Sequence, residues 1–261
     1  MEKLSVVIIT YNEENNIGQC LESVEWADEI VVVDSLSTDR TVDIAKDYTD
    51  KIYPRAWEGY GKQKKYAVGQ ASNRWVLSLD ADERITDELK LEIIEVLGAD
   101  QITISGYEIP RKAFFGDTWV RHGGWYPDYV LRLFRKDQGC FSERLVHETV
   151  EISGSAGRLK HCIEHYPYRS ISDFVVRMER YSTLSAQVYY QEGRRVGWFE
   201  TILRSWFTFI QMILLQRGFL DGVLGFELAC FYSFYTFLKY AKLIELNSKS
   251  EEKSGVVEAV S

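Results

Sequence analysis

Two carboxylates separated by one residue follow an apolar run in this sequence. The run 75–79 has the composition of a buried strand, and Asp80 and Asp82 come directly after it, with Glu83 beside them. Acidic side chains at the carboxyl end of a strand point into the crevice where open α/β sheets bind ligands. Because two like charges this close repel each other, a divalent cation, Mg²⁺ or Mn²⁺, is the partner that the pair favours. The alternative is a solvated acidic turn before a helix that Thr86 caps.

Polar side chains also follow two earlier apolar runs. Thr10, Tyr11 and Glu13 come at the end of the first, and Asp34 ends the second, before the hydroxyl-rich turn 35–38. In a parallel sheet these loops converge on the same crevice as the acidic pair. A carboxylate such as Asp34 can accept a hydrogen bond from a base or a ribose, and Tyr11 can stack on a base. The chain has neither GxGxxG nor GxxxxGK[ST], which argues against a dinucleotide and against a P-loop triphosphate.

The elements that must position these residues alternate between strand and helix. The predicted strands are 4–10, 29–34, 51–53, 75–79, 106–111 and 129–134. The predicted helices are 15–24, 38–48 (capped by Ser37 or Thr38) and 62–72, and the sequence is helical from residue 170 onward. This βαβα order predicts the α/β class, with a doubly wound, mostly parallel sheet and right-handed crossovers.

Composition narrows the class of protein. The chain has 261 residues, of which 46% are hydrophobic, enough for a sizeable core. Its four cysteines are scattered and form no disulfide or zinc pattern, which fits the reducing cytoplasm. The formal net charge of −8 argues against nucleic acid as the main partner.

Three motifs, in this order, resemble those of family 2 glycosyltransferases, which have the GT-A fold. They are VVIITYNE at 6–13, VDS and STDRT at 33–35 and 37–41, and LDADE at 79–83. The segment 106–135 and the VHE at 146–148 resemble a bacterial subgroup of that family. This subgroup includes the lipopolysaccharide core β-1,4-glucosyltransferases.

The resemblance implies a metal-dependent, inverting enzyme that moves a hexose, glucose, from a UDP-sugar to a membrane-anchored glycan such as the lipopolysaccharide inner core. It places Asp34 on uracil, Asp80 near the ribose and the metal ion, and Asp82 on the metal ion. His165 can complete the metal coordination, although a structural histidine is an equal alternative. One departure is the SLS turn at 35–37, where the family usually has a glycine.

Inversion at an anomeric carbon requires a general base that deprotonates the acceptor hydroxyl. Glu148 stands where the family places its catalytic carboxylate and is the first candidate. Asp128 is its main rival. The alternative for Glu148 is an ion pair with Arg132 or Arg135 that stabilises the fold.

Basic residues on the helix before the acidic pair are candidates for the diphosphate. Lys62 and Lys65, together with Lys64, can reach toward it, although lysines on a helix are more often solvated. With Thr10, Tyr11, Glu13, Asp34 and Asp80, they make up the predicted nucleotide-sugar site.

The predicted organisation has three parts. Residues 1–168 form the glycosyltransferase domain, with nucleotide-sugar binding in 1–100 and the acceptor side in 101–168. Residues 169–247 are an amphipathic helical extension, and 248–261 are a polar tail. The uncharged stretch 205–216 is shorter than the roughly 20 residues that a membrane span needs.

The extension is rich in aromatic residues and locally basic in an acidic protein. This pattern predicts peripheral association with the inner face of the cytoplasmic membrane. A helical lid packed on the sheet and a dimer interface are the alternatives.

Two other functions stay open on the sequence alone. One is transfer to another lipid-linked or protein acceptor. The other is a non-catalytic membrane scaffold that binds nucleotide sugars, against which Asp34, Asp80 and Asp82 argue. A nucleotidyltransferase is disfavoured, because 10–16 has no glycine or lysine for a phosphate loop.

Overall fold

The computed structural model of the protein describes residues 2–99, 102–142 and 149–258. Its strands are β1 Leu4–Thr10, β2 Glu29–Asp34, β3 Ile52–Pro54, β4 Trp75–Asp80, β5 Glu83–Ile85, β6 Gly106–Phe115, β7 Thr118–Trp119, β8 Asp128–Arg135, β9 Gly139–Phe141, β10 Val150–Ile152, β11 Ala156–Arg158 and β12 Ile163–Tyr168. Its α-helices are α1 Ile17–Glu22, α2 Thr41–Ala45, α3 Tyr60–Gln70, α4 Asp87–Leu97, α5 Ile171–Gln191, α6 Trp198–Ile210 and α7 Gly222–Glu258. A π-helix, Gln211–Leu215, and a 3₁₀ helix, Gly218–Asp221, lie between α6 and α7.

The main sheet is parallel where the sequence alternates strand and helix. β1 lies between β2 and β4, and β2 also pairs with β3, all in parallel. The strand order is β3-β2-β1-β4-β8-β6-β12-β5, and β8 pairs antiparallel with both β4 and β6. The predicted α/β class with a doubly wound sheet is therefore confirmed, and the strands after β4 make the sheet a mixed one.

Every residue of β1 and β2 is buried, which explains their continuous apolar composition. Val6 and Ile8 point into the core on one face of the sheet, and Val7 and Ile9 point into the core on the other. A parallel strand covered on both faces cannot alternate polar and apolar residues. This burial fixes the strand ends, and so the positions of the polar loops that follow them.

The chain divides into two compact units. The first comprises Met1–Ala113 and Pro127–Pro167, and the second comprises Phe114–Tyr126 and Tyr168–Ser261. The second unit thus takes in 114–126, which the sequence pattern groups with the acceptor side, together with α5, α6 and α7. α7 continues to Glu258, so residues 248–258 of the predicted polar tail belong to a helix.

Within the described part of the chain, no single helix has both the length and the apolar composition needed to cross a membrane. The segments Trp198–Leu215 and Gly218–Ser250 meet that criterion only as a pair, with a bend of 70° between them.

Glu29 at the start of β2 is a buried carboxylate with several hydrogen-bond donors. Ser72 donates to it from its backbone N–H and its hydroxyl, both at 2.7 Å, and Ser5 and Lys51 donate as well. Burial alone would raise the pKa of Glu29, but the hydrogen bonds from Lys51, Ser5 and Ser72 outweigh it. They lower the pKa from 4.5 to about 2.

Glu29→Gln is therefore expected to cost stability in a pH-dependent way. A carboxyl group whose pKa is lowered in the folded state stabilises the fold fully above pH 4.5, and this contribution disappears as the pH falls toward 2. At pH 7 the loss should be about 2–3 kcal/mol in the free energy of unfolding. Urea denaturation between pH 2 and 7 measures it, with the exposed Glu95→Gln as control. A difference from wild type that is constant across this range would contradict the assignment.

Candidate active site

The carboxyl ends of β1, β2 and β4 lie side by side, because β1 is the middle strand of the three. Thr10 stands opposite Asp34 in the register of β1 and β2, and Ile9 stands opposite Asp80 in the register of β1 and β4. Three of the predicted nucleotide-sugar residues thus come to one edge of the sheet. This is the edge where α/β sheets bind ligands.

A tight turn fixes the carboxylate of Asp34. Ser37 donates to it twice, from its backbone N–H at 2.8 Å and from its hydroxyl at 2.5 Å. The Ser37 hydroxyl also accepts from the backbone N–H of Asn12 at 2.8 Å, which ties the turn to the loop after β1. The prediction that Ser37 or Thr38 caps the second helix is wrong: α2 begins at Thr41 with no side-chain cap, because the Ser37 hydroxyl is used on Asp34.

Two buried polar atoms near this edge lack a partner among the described residues. They are the hydroxyl oxygen of Thr10 and the side-chain oxygen of Gln63 on α3. Gln63 is placed by its amide, which donates to the Ser35 hydroxyl at 3.0 Å. Since a buried polar group without a hydrogen bond is costly, these atoms suit a polar ligand. Tyr11 lies beside them with 55% of its surface exposed, so its ring is accessible to a base.

Glu13 stabilises the loop after β1. Its backbone N–H donates to the Thr41 hydroxyl at 2.8 Å, and its carboxylate accepts from the Asn16 side chain at 2.6 Å. These bonds give Glu13 a structural role, and a direct contact with the nucleotide stays a prediction.

Asp80 is held between two cations. Lys64 Nζ lies 2.9 Å from Asp80 Oδ1, and Arg132 Nη2 donates to Asp80 Oδ2 at 2.6 Å. Burial alone would raise the pKa of Asp80, but Arg132 and Lys64 hold it far below its usual range. Asp80 is therefore a carboxylate anion at any physiological pH.

The ion pairs continue from Asp80 into the sheet. Arg132 Nη2 also donates to Glu83 Oε1 at 2.7 Å, and Glu83 Oε2 accepts from the backbone N–H of Asp80 at 3.0 Å. Arg111 Nη1 lies 3.5 Å from the same Glu83 carboxylate, and Arg111 Nε donates to Asp128 Oδ2 at 2.9 Å. Positive and negative groups thus alternate from Lys64 to Asp128, which is the arrangement that makes buried charge tolerable.

Asp82 lies close to His165. Asp82 lies between β4 and β5, and His165 lies on β12, which pairs antiparallel with β5. The distance from His165 Nε2 to Asp82 Oδ1 is 3.6 Å. The structure therefore brings together two of the three residues predicted to bind a metal ion, while Asp80 beside them is paired with Lys64 and Arg132.

The Asp82–His165 pair fits a divalent ion that is bound together with a substrate. A carboxylate suits Mg²⁺ or Mn²⁺, and imidazole is a common metal ligand. No group of three or more His, Cys, Asp or Glu able to hold a metal occurs among residues 2–99, 102–142 and 149–258. An ion here would therefore take its remaining ligands from water and from phosphate oxygens, as Mg²⁺ usually does.

Comparison with known proteins now identifies the family. Residues 5–166 match the sequence model of Glycosyl transferase family 2. The chain belongs to this family. The glycosyltransferase is 31% identical to the lipopolysaccharide core biosynthesis glycosyltransferase LpsC of Rhizobium meliloti, over 93% of this chain and 92% of that protein. It is 32% identical to an uncharacterized glycosyltransferase of Rickettsia typhi, over 96% and 89% of the two chains.

Solved structures include one with a bound nucleotide. The match to the crystal structure of S. aureus TarS 1-349 in complex with UDP covers 95% of this chain and 92% of that fragment, with a TM-score of 0.49 and 19% identity. The sheet order and the family match confirm the predicted GT-A fold for this glycosyltransferase.

The lysines of α3 differ in their surroundings. Of the three lysines predicted to reach the diphosphate, Lys62 and Lys65 are exposed, whereas Lys64 is buried against Asp80. A helical turn puts Lys64 on the face that packs on the sheet, with Ala67 and Val68. In the sequence, the positions of Ala67 and Val68, three and four residues after Lys64, place Lys64 on the buried face of the helix.

The structure describes one of the two candidate bases of the glycosyltransferase. Glu148, the first candidate, lies outside the described residues. Asp128 is 44% exposed, and its Oδ2 accepts from both Nε and Nη2 of Arg111. Arg111 therefore holds the Asp128 carboxylate in place with two hydrogen bonds to one oxygen.

Sequence reasoning missed three charged residues at this site. The sequence predicts Arg132 only as a possible ion-pair partner for Glu148, and it predicts no role for Glu83 or Arg111. The available signal was Arg132 itself, because a lone arginine inside the apolar strand 129–134 needs a buried acidic partner.

Proposed function

We propose that this glycosyltransferase moves a hexose from a UDP-sugar to a hydroxyl group of a membrane-anchored glycan, with inversion. The observation that carries the proposal is the sheet edge where Thr10, Asp34 and Asp80 meet beside the Asp82–His165 pair. It offers acceptors for a nucleoside and ligands for an ion on its diphosphate. The name of the relative LpsC favours the lipopolysaccharide core as the acceptor class. The resemblance at 106–135 favours glucose as the hexose.

The nucleoside end of the sugar donor would bind at β1 and β2. Ser37 holds the Asp34 carboxylate in one orientation by one hydrogen bond to each oxygen. Because a carboxylate oxygen can accept more than one hydrogen bond, Asp34 can still accept from a base N–H. The Thr10 hydroxyl supplies a further polar contact, and the Tyr11 ring can cover the base. The roles of Lys62, Lys65 and Glu13 toward the sugar donor belong to the same proposal.

Asp82 and His165 would hold the divalent ion. When bound, the ion neutralises the charge that develops on the departing diphosphate. Lys64 and Arg132 fix Asp80 next to this position as an anion. The site therefore concentrates its charged groups on the leaving group, and the general base must come from the acceptor side.

The direct test is UDP release from a panel of UDP-sugars, with Mg²⁺ or Mn²⁺ and an inner-core glycolipid as acceptor. We expect release with one hexose donor and an increase when the acceptor is added. If the enzyme transfers the sugar to another lipid-linked or protein acceptor instead, the proposed reaction is correct and the proposed acceptor is wrong. If no UDP-sugar binds or turns over, the reaction itself is wrong, and binding without turnover would indicate the non-catalytic scaffold.

Two variants separate the candidate bases. Glu148→Gln is expected to lower kcat by about 100-fold or more while leaving UDP binding intact, because it removes the proton acceptor but not the nucleotide site. Asp128→Asn should have a smaller effect, since Arg111 holds that carboxylate. Steady-state kinetics and UDP titration measure both. Full activity in Glu148→Gln would exclude it as the base.

A further inference from the structure

The apolar face of helix α6 points outward. Its buried positions carry small polar residues, Thr201 and Ser205. Its large apolar residues are exposed, with 76% of Phe199 and 62% of Trp206 accessible. A helix of a water-soluble protein normally buries its apolar stripe and exposes its polar one. α6 does the reverse.

The contact between α6 and α7 combines hydroxyl groups at its middle with two aromatic pairs, Trp198–Phe237 and Phe209–Phe226. Ser233 on α7 donates to the backbone oxygen of Ser205 at 2.8 Å, and the hydroxyl groups of Thr208 and Thr236 lie 3.2 Å apart. Small residues and hydroxyl groups between helices, with large apolar residues outside, are typical of helices packed within lipid.

The exposed apolar surface continues beyond α6. Its other members lie on α6 itself, on the π-helix, on the 3₁₀ helix and at the start of α7: Trp198, Ile202, Leu203, Phe207, Leu214, Leu215, Phe219, Leu220, Val223 and Phe226. Close packing of Gly225 against the 3₁₀ helix holds this corner, since a Cβ on Gly225 would lie 1.8 Å from the backbone oxygen of Gly218. We call this set, with Phe199 and Trp206, the outer apolar surface.

Arginines lie around the outer apolar surface. Segment 192–227 has four arginines and four acidic residues in a chain with a net charge of −8, so it is more basic than the chain as a whole. Asp221, one of the four acids, accepts from the backbone N–H groups of Arg121 and His122 and pairs with the His122 ring, so its charge has partners within the second unit. Arg194, Arg195 and Arg217 are exposed, and Arg204 pairs with Glu200.

We propose that the outer apolar surface inserts into the interface of an anionic lipid bilayer, with α6 lying in the membrane plane. Tryptophan and phenylalanine with arginines at the rim match such an interface, where apolar side chains enter the acyl boundary and basic ones meet acidic headgroups. The inference rests on the proposed function and deepens it, because it names the surface that would hold the enzyme on the membrane that carries its acceptor.

A second copy of the chain fits this surface less well. In a two-fold dimer the same patch faces itself, which would bring the arginines of the two rims together. Like charges at a contact disfavour it, whereas acidic lipid headgroups neutralise them.

Flotation of the full chain with vesicles tests the proposal. Wild-type protein should float with phosphatidylglycerol–phosphatidylethanolamine vesicles, and less with phosphatidylcholine vesicles or at high salt. The double variant Phe199→Ser/Trp206→Ser should bind at least tenfold more weakly, since each lost side chain is worth roughly a factor of ten in transfer. The matched control is Leu91→Ser on α4, which removes a side chain that is 65% exposed.

Three outcomes would overturn the proposal: no flotation of the wild type, equal flotation of the double variant, or a wild-type dimer in sedimentation that the variant converts to a monomer. UDP binding by the variant checks that it folds, and both exposed positions can be changed without opening the core. Asp82→Asn should float like the wild type, so loss of transfer and loss of lipid binding are separable.

Discussion

Arg132→Met is expected to lower the free energy of unfolding by about 3–5 kcal/mol. One guanidinium nitrogen of Arg132 serves both Asp80 and Glu83, at 2.6 and 2.7 Å. The Glu83 side chain is fully buried, so without Arg132 its carboxylate would keep, among the described residues, the more distant Arg111 as its cation. Urea denaturation at pH 7 measures the loss.

Arg158→Met is the matched control. Arg158 Nε donates to Glu108 Oε2 at 2.7 Å, a geometry as good as that of Arg132, but 65% of the Arg158 side chain is exposed. Water replaces a lost partner at an exposed pair, so this variant should cost far less than Arg132→Met. Equal losses in the two variants would show that the buried pairs contribute no more than a surface pair.

A second change identifies the cause of the loss. If the cost of Arg132→Met comes from the charge left on Glu83, then adding Glu83→Gln should restore part of the stability, because it removes that charge. If the double variant is less stable than Arg132→Met by the full cost of Glu83→Gln alone, the two residues act independently and the interpretation is wrong.

Local sequence pattern was sufficient for the strands that carry the nucleotide edge. The predicted bounds of β1 and β2 agree with the structure at both ends. Their β-branched residues form unbroken apolar runs because both faces of the sheet are covered, so each run stops where the burial stops. Thr10 and Asp34 could be placed for this reason.

The partners of Asp80 could not be predicted in the same way. Lys64 reaches Asp80 because of the rotation of α3 on the sheet. Arg132 reaches it because β8 pairs antiparallel with β4, an arrangement between segments more than 50 residues apart. Local pattern marks Lys64 and Arg132 as charged residues on buried faces, but it does not say that Asp80 is their shared partner. The turn after β2 is a further example: Leu36 adopts a φ of +64°, a conformation that the sequence would assign to glycine.

The helical extension shows a different limit. The spacing of Phe199, Ile202, Leu203 and Trp206 correctly indicates a helix, and periodicity identifies the apolar face. It does not say what covers that face. Thr201 and Ser205 turned out to be the buried side, which only the packing of α6 against α7 reveals.

Asp82→Asn is expected to lower kcat/KM by about 1,000-fold or more, because it removes the carboxylate proposed to hold the ion on the leaving group. The change keeps the size of the side chain and takes away its charge. Stability should be close to that of the wild type, since Asp82 lies in the turn between β4 and β5. Kinetics with a titration of Mn²⁺, and calorimetry of Mn²⁺ binding in the presence of UDP, measure the two effects.

The exposed Asp87→Asn, in the first turn of α4, is the control for the loss of one negative charge. His165→Asn should fall between the two: it removes one ligand but leaves the Asp82 carboxylate, which lies 3.6 Å from the imidazole in the wild type. Because the ion would bind both residues, the double variant should be hardly worse than Asp82→Asn alone. Additive losses in the double variant, or wild-type activity of Asp82→Asn in EDTA, would mean that Asp82 and His165 do not share an ion.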